Sequence, residues 1–164
     1  MPLRSVASTG GSRLEVCQTP MMTDTPGVLP REPERWIPGE FTREYGEGTL
    51  ELRGICSPEY EGGPGVAHGG WTAALLDELL GTCVNAGSPI AVTGTLTIVY
   101  VRPLPVGRQL VCRAWVQARE NRKIQARGEV RLASSDALLA EATGTFVTVP
   151  TDHYQRTQQW LQVQ

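Results

Sequence analysis

Between residues 49 and 149 the hydrophobic and polar positions change period from strand to helix and back to strand. In TLELRGIC, Leu50, Leu52 and Gly54 alternate with Glu51 and Arg53, as in a strand with one covered face. SPEYEGGPG follows, and its proline and glycine content predicts a loop. From Gly69 to about Ala86 the spacing becomes helical: Trp71, Leu75, Leu79 and Thr82 or Cys83 recur every three or four residues. Ala73 and Ala74 are small enough to let such a helix pack closely on a sheet. Asn85-Ala-Gly87-Ser-Pro89 supplies the residues that end it.

Four strand-like runs come next. Thr93 to Val101 is β-branched almost throughout and is expected to be a central strand. Gln109 to Arg119 leads through Glu120-Asn121-Arg122-Lys123, a turn, into Ile124 to Leu132. There Ile124, Ala126, Gly128, Val130 and Leu132 oppose Gln125, Arg127, Glu129 and Arg131. Ser134-Ser135-Asp136 is a second turn, and Leu138 to Val149 is the last strand. Thr151 to Leu161 fits a terminal helix with Tyr154, Thr157 and Leu161 on one side. Ahead of the first strand, Pro33 to Tyr45 reads as a short helical or loop segment carrying Trp36, Ile37 and Phe41. The Ser-, Thr-, Gly- and Pro-rich residues before it show no sustained period, so residues 1–32 read as a flexible leader. Residues 33–164 then form a single domain with its core in 48–149. The class is α+β: one long helix wrapped by a five- to six-stranded antiparallel sheet. The sheet face away from the helix would be covered by a second copy, which predicts a symmetric dimer or a tetramer built from dimers.

Composition narrows the function. The chain has 164 residues and a formal charge of −2, without the basic excess of a general nucleic-acid binder. No apolar run approaches a membrane span; the stretch from Trp71 to Leu80 is broken by Asp77 and Glu78. Cys17, Cys56, Cys83 and Cys112 lack metal-like spacing, and with two histidines no metal site is expected. They read as reduced core thiols in a cytoplasm-like compartment.

The chemistry concentrates in GGPGVAHGGWTAALLD, from Gly62 to Asp77. His68 and the Gly69-Gly70 pair stand at a helix start, where backbone N–H groups lack helical partners and face negative charge favourably. Asp77 sits within an apolar helical run, where a carboxylate is costly unless paired, exposed to a cavity or used. Together they suggest a site that polarises a carbonyl and activates water. Glu78 points about 100° away and reads as structural. Trp71 reads as core or as the wall of a substrate pocket.

EGGPGVAHGG at 61–70, LLDELLGTC at 75–83, TGTLTIVYVRPLP at 93–105, ENRK at 120–123 and ATGTFV at 142–147 resemble the hotdog-fold acyl-CoA thioesterases. The resemblance is to the phenylacetate-degradation-type branch, with its mammalian carboxyl-terminal-modulator-like members, and covers about residues 48–149. It implies a hotdog fold and hydrolysis of a fatty or aromatic acyl-CoA to free acid and coenzyme A, which enters as substrate with no separate cofactor. It assigns Asp77 as general base or nucleophile, His68 and Gly69 to the thioester carbonyl, and Thr93 to placing the water or the acid. Val99 and Val101 would border the CoA. The resemblance also allows the mitochondrial matrix in a eukaryote. Some relatives carry an asparagine where this chain has Gly62, so that amide's role is missing here.

Spacing adds a constraint. His68 and Asp77 are separated by about 13 Å of rise and a rotation of about 180° on a continuous helix. One thioester carbon cannot reach both the Gly69 amide and Asp77 of the same helix. Two helices lying antiparallel across a dimer would bring Gly69 of one chain to Asp77 of the other, as the resemblance also implies. Gly70 is a second candidate carbonyl donor. Thr95, two residues beyond Thr93, is expected on the same strand face and could place the water instead. Arg122 and Lys123 are the candidate phosphate contacts, with the strand from Ile124 lining the pantetheine. A dehydratase or hydratase, or a non-catalytic acyl-CoA-binding or protein-interaction module, are the competing readings.

Overall fold

The computed structural model describes residues 41–86 and 90–163. The leader, Cys17, Trp36, Ile37 and the breakers Gly87, Ser88 and Pro89 lie outside the described residues. Eight strands and two α-helices follow in order, with a 3-10 turn at Pro58–Tyr60 between the second and third strands: β1 (Phe41–Gly46), β2 (Thr49–Ile55), β3 (Glu61–Gly63), β4 (Val66–Ala67), α1 (Gly69–Asn85), β5 (Ala91–Tyr100), β6 (Gln109–Glu120), β7 (Lys123–Leu132), β8 (Ala137–Thr148) and α2 (His153–Gln162). Six of them form one antiparallel sheet in the order β1-β2-β6-β7-β8-β5, wrapped around α1, which is the α+β hotdog architecture expected. β3 and β4 pair as a small separate hairpin before the helix.

Several expectations change, and the stretch SPEYEGGPG, expected as a loop, holds a 3-10 turn at Pro58–Tyr60 and the strand β3. Phe41–Gly46 is a strand, not helix or loop, because Arg43 and Tyr45 pair with Leu52 and Leu50 in a ladder that local pattern does not reveal. Among the described residues β5 is an edge strand, not a central one, with β8 as its single partner. Its β-branched run therefore leaves Val99 and Tyr100 half exposed at the sheet edge, with Val101 just beyond.

The helix is buried over a broad stripe. Leu75, Leu76, Leu79, Leu80 and Val84 are fully enclosed, with Trp71 and Cys83 nearly so. Each such leucine contributes about 1.5–3 kcal/mol on transfer from water. The close approach comes from small residues on the sheet, not from Ala73 and Ala74, which face away from it at least in part. Ala114, Ala126, Ala140 and Ala142 are buried beneath the helix. At Gly128 a Cβ would stand 2.4 Å from Leu80 Cδ1, and at Gly144 it would stand 3.1 Å from Leu80 Cδ2. The sheet leaves room for a leucine-rich helix by omitting its own side chains.

The opposite face is polar. Glu51 pairs with Arg53 and Arg113, and Glu129 with Arg113 and Arg131. Arg127 reaches Glu141 at 3.5 Å. Such a charge ladder is solvated and offers no broad apolar surface that a second copy must cover. Among the described residues no helix is long and apolar enough to cross a membrane.

Candidate active site

α1 begins at Gly69 because His68 ends the preceding chain in an extended conformation, φ −61° and ψ 137°, and caps the helix. Gly70 N–H donates to His68 Nδ1 at 2.9 Å. Histidine thus takes the place usually held by Ser, Thr, Asp or Asn. An accepting Nδ1 puts the proton of the neutral ring on Nε2, the nitrogen left to face solvent or substrate. The same bond removes Gly70 N–H as a second carbonyl donor, a correction to the sequence reading. Among the described residues Gly69 N–H has no acceptor, so it is the free donor at this helix end.

His68 is held in turn. Its N–H donates to Tyr60 O at 2.8 Å, and Ala67 N–H donates to Leu104 O at 2.8 Å. Gly62 packs against it: a Cβ at 62 would stand 2.7 Å from His68 Cα. This chain requires glycine at 62 for the close approach of the two backbones. Tyr60 stacks on Trp71 with ring centroids 6.3 Å apart, and Phe41 approaches the same indole from another side at 6.4 Å. Trp71 is core, yet its edge joins Glu59, Tyr60, Glu61 and His68 around a hollow of about 380 Å³. A hollow of about 410 Å³ near Glu44, Tyr45 and Trp115 contains none of the candidate residues.

Asp77 lies two helical turns on, half-buried, on the side of α1 that meets β5. Thr93 Oγ1 donates to Asp77 Oδ1 at 2.9 Å. The junction of α1 and β5 sets this contact: Asn85 donates to Ala91 O at 3.1 Å and accepts from Ala91 N–H at 2.8 Å. Arg119 adds a bond to Val84 O at 3.3 Å near the helix end. Glu78 accepts from Thr82 Oγ1 at 3.1 Å, one turn further.

Thr95 does not share the Thr93 face. The β5–β8 register pairs Thr93 with Phe146 and Thr95 with Thr145, leaving Gly94 as the extra residue of a bulge. Phe146 points into the core, so Thr93 points toward α1 and Thr95 toward the outer face. Val99 is opposite Glu141 on that outer face. Val101 is exposed, with its N–H bonded to Leu139 O at 2.8 Å.

Arg122 and Lys123 sit at the β6–β7 hairpin, where Asn121 adopts φ 53°. Arg122 folds back, Nε and Nη2 donating to Thr148 O at 3.2 and 3.0 Å. Lys123 is exposed. Ile124 is 2% exposed and opposite Phe146 in the core, so strand alternation withholds its side chain from any ligand groove. Cys56, Cys83 and Cys112 are free and buried. Burial pushes the Cys56 thiol up to about 11 and Cys112 up to about 12, and raises Cys83 as well, so none is an activated nucleophile. Tyr100 was not foreseen: its phenol donates to Gly69 O at 2.9 Å across a separation of 31 residues.

Residues 64–138 match the thioesterase superfamily model. Acyl-coenzyme A thioesterase THEM4 of Bos taurus is 33% identical over 101 residues, 59% of this chain and 41% of the bovine protein. This chain therefore spans less than half the length of that relative. The solved thioesterase superfamily protein RHA08564 is 31% identical, with a TM-score of 0.58 over 61% of this chain and 49% of that one. A Streptococcus mutans protein solved with acetyl CoA bound gives a TM-score of 0.63 over 67% of this chain and 89% of that one; at 20% identity the likeness is one of fold. With its six-stranded sheet around one helix, this chain has the hotdog fold, and its residues 64–138 are similar to the thioesterase superfamily and to the THEM proteins.

Proposed function

We propose that the protein hydrolyses acyl-CoA thioesters at sites shared between two copies. The observation that carries this reading is the Thr93–Asp77 hydrogen bond at 2.9 Å on a helix whose N-terminus leaves the Gly69 N–H free. The names of the similar proteins support the substrate class.

Gly69 N–H and His68 Nε2–H donate to the thioester oxygen as charge develops on it. Losing one such donor typically costs about 10²–10³ in rate. Thr93 occupies one oxygen of Asp77 and leaves the other to take a proton from water. Hydroxide adds to the carbonyl carbon, the C–S bond breaks, and the proton returns to the CoA sulfur. Direct attack by Asp77, followed by hydrolysis of the anhydride, gives the same products. Because about 12 Å of helix separates Gly69 from Asp77, the acid that serves one Gly69 belongs to the other protomer. The unpaired edge of β5 is the proposed seam between the copies, with two sites per dimer. Lys123 and the guanidinium of Arg122 remain the candidate phosphate contacts.

The test is thiol release from a panel of acyl-CoAs by wild type, Asp77→Asn and Gly69→Pro. Proline is tolerated at the first helical position and deletes the N–H alone; His68 already has a pre-proline conformation. Both variants should lose about 10²-fold in kcat. Equal mixing of the two, after exchange of subunits, should recover about a quarter of wild-type activity, since half of the dimers then hold one intact site. Binding of acyl-CoA without turnover by wild type would overturn hydrolysis, and failed complementation would overturn the shared site.

A further inference from the structure

We propose that Tyr100 is a positioning residue that holds the thioester-binding backbone of α1. The phenol donates to Gly69 O at 2.9 Å, while Gly70 N–H donates to His68 Nδ1 at 2.9 Å. Gly69 C=O and Gly70 N–H belong to one peptide unit. Side chains from two distant segments therefore grip opposite ends of a single peptide plane. The plane lies between two glycines, the residues with the most backbone freedom to lose, at a helix end where fraying is easiest. Locking it holds Gly69, and with it the N–H that donates to substrate. A hydrogen bond to the carbonyl also polarises the peptide and strengthens the N–H bond to His68.

Within its own chain Tyr100 is 55% exposed, so that chain's core does not bury the ring, and the hydroxyl reaches Gly69 from the β5 edge. A Cβ at Gly69 would stand 3.8 Å from the ring, ordinary contact distance, so the ring also walls the donor on its strand side. β5 thereby grips α1 at two functional points: Thr93 holds Asp77, and Tyr100 holds Gly69. The catalytic part of this inference rests on the thioesterase reading above, whereas the clamp itself does not.

The experiment is Tyr100→Phe, which deletes the hydroxyl and keeps the ring. Amide hydrogen exchange at Gly70, read by NMR on the free protein, should quicken several-fold while the melting temperature holds. In thiol-release assays kcat should fall about tenfold with KM within about twofold, since donor placement matters more as the oxyanion forms. Unchanged Gly70 exchange would overturn the clamp. Faster exchange with unchanged kcat would overturn the positioning role, as would a fall in kcat matched by a lowered melting temperature. A wild type with no turnover would instead sink the thioesterase reading, and the exchange data would still decide the clamp.

Discussion

Thr93 on β5 donates its hydroxyl to Asp77 on α1 at 2.9 Å, although the two residues come from different elements and different periodicities. The bulge at Gly94 makes this possible, because it lets Thr93 face the helix while Thr95 faces outward. Thr93→Val keeps the shape and removes the hydroxyl, so kcat should fall about tenfold. In an Asp77→Asn background the same change should cost little, because residues acting as a unit are strongly non-additive. Additive losses across that cycle would show that Thr93 acts on something other than Asp77. Thr95→Val should leave turnover at the wild-type level.

His68 has two separable roles, cap and carbonyl donor. His68→Ala should cost about 1 kcal/mol of stability through the lost cap. For a domain of this size that is a drop of about 2–4 °C in melting temperature. His68→Asn replaces the cap acceptor and should restore most of the stability without restoring a ring N–H. Thermal melts beside kcat on the two variants separate the roles: equal kcat in His68→Asn and wild type would remove the ring from the chemistry.

Gly128 marks where sheet and helix are closest. Gly128→Ala places a methyl 2.4 Å from Leu80 Cδ1 and 3.2 Å from Arg113 O. Overpacking of this kind typically costs about 1–3 kcal/mol. Adding Leu80→Ala should relieve part of that cost, giving favourable coupling in a double-mutant cycle. Denaturant midpoints for the four proteins check it; strict additivity would mean that the carbonyl of Arg113 is the source of strain.

The ladder on the outer face predicts a pH response. The hydrogen bond from Arg113 holds the Glu51 carboxyl below its ordinary value of 4.5, partial burial opposes this, and Arg53 adds to the lowering. A carboxyl lowered in the folded state stabilises above its unfolded value, and that contribution is lost as pH falls through the folded value. Wild type should therefore lose its advantage over Glu51→Gln as pH drops below about 4.5, and high salt should narrow the gap because the ladder is partly exposed. Urea midpoints of the two proteins from pH 3 to 7 give the answer, and a gap that widens in acid would refute it.

The main elements were legible because their periods are local. Leu75, Leu79 and Cys83 announce α1, and the alternation from Ile124 to Val130 announces β7, since a covered face is written every second or every third and fourth residue. Glu120 to Lys123 and Ser134 to Asp136 were read as turns and stand at the hairpins. Phe41–Gly46 was missed because its strand character comes from pairing with β2. β5 was placed in the middle of the sheet because β-branched residues mark a strand without saying how many neighbours it has.

At the candidate site, the helix start, Asp77 and Thr93 could all be named from sequence, the first two by chemistry and the last through resemblance. Whether Thr93 reaches Asp77 could not be, since one extra residue at Gly94 decides which face each threonine takes. The sequence by itself determined α1 and the long strands β2 and β5 to β8, which face of most of them is apolar, and which polar residues stand where burial makes them costly. Tertiary structure alone decided that His68 consumes the Gly70 N–H, that Ile124 is sealed in the core, and that Tyr100 meets Gly69 across 31 residues. The division has one physical cause: periodicity is a property of neighbours along the chain, whereas a hydrogen bond between distant residues depends on register, bulges and strand order, which only the whole packed sheet fixes.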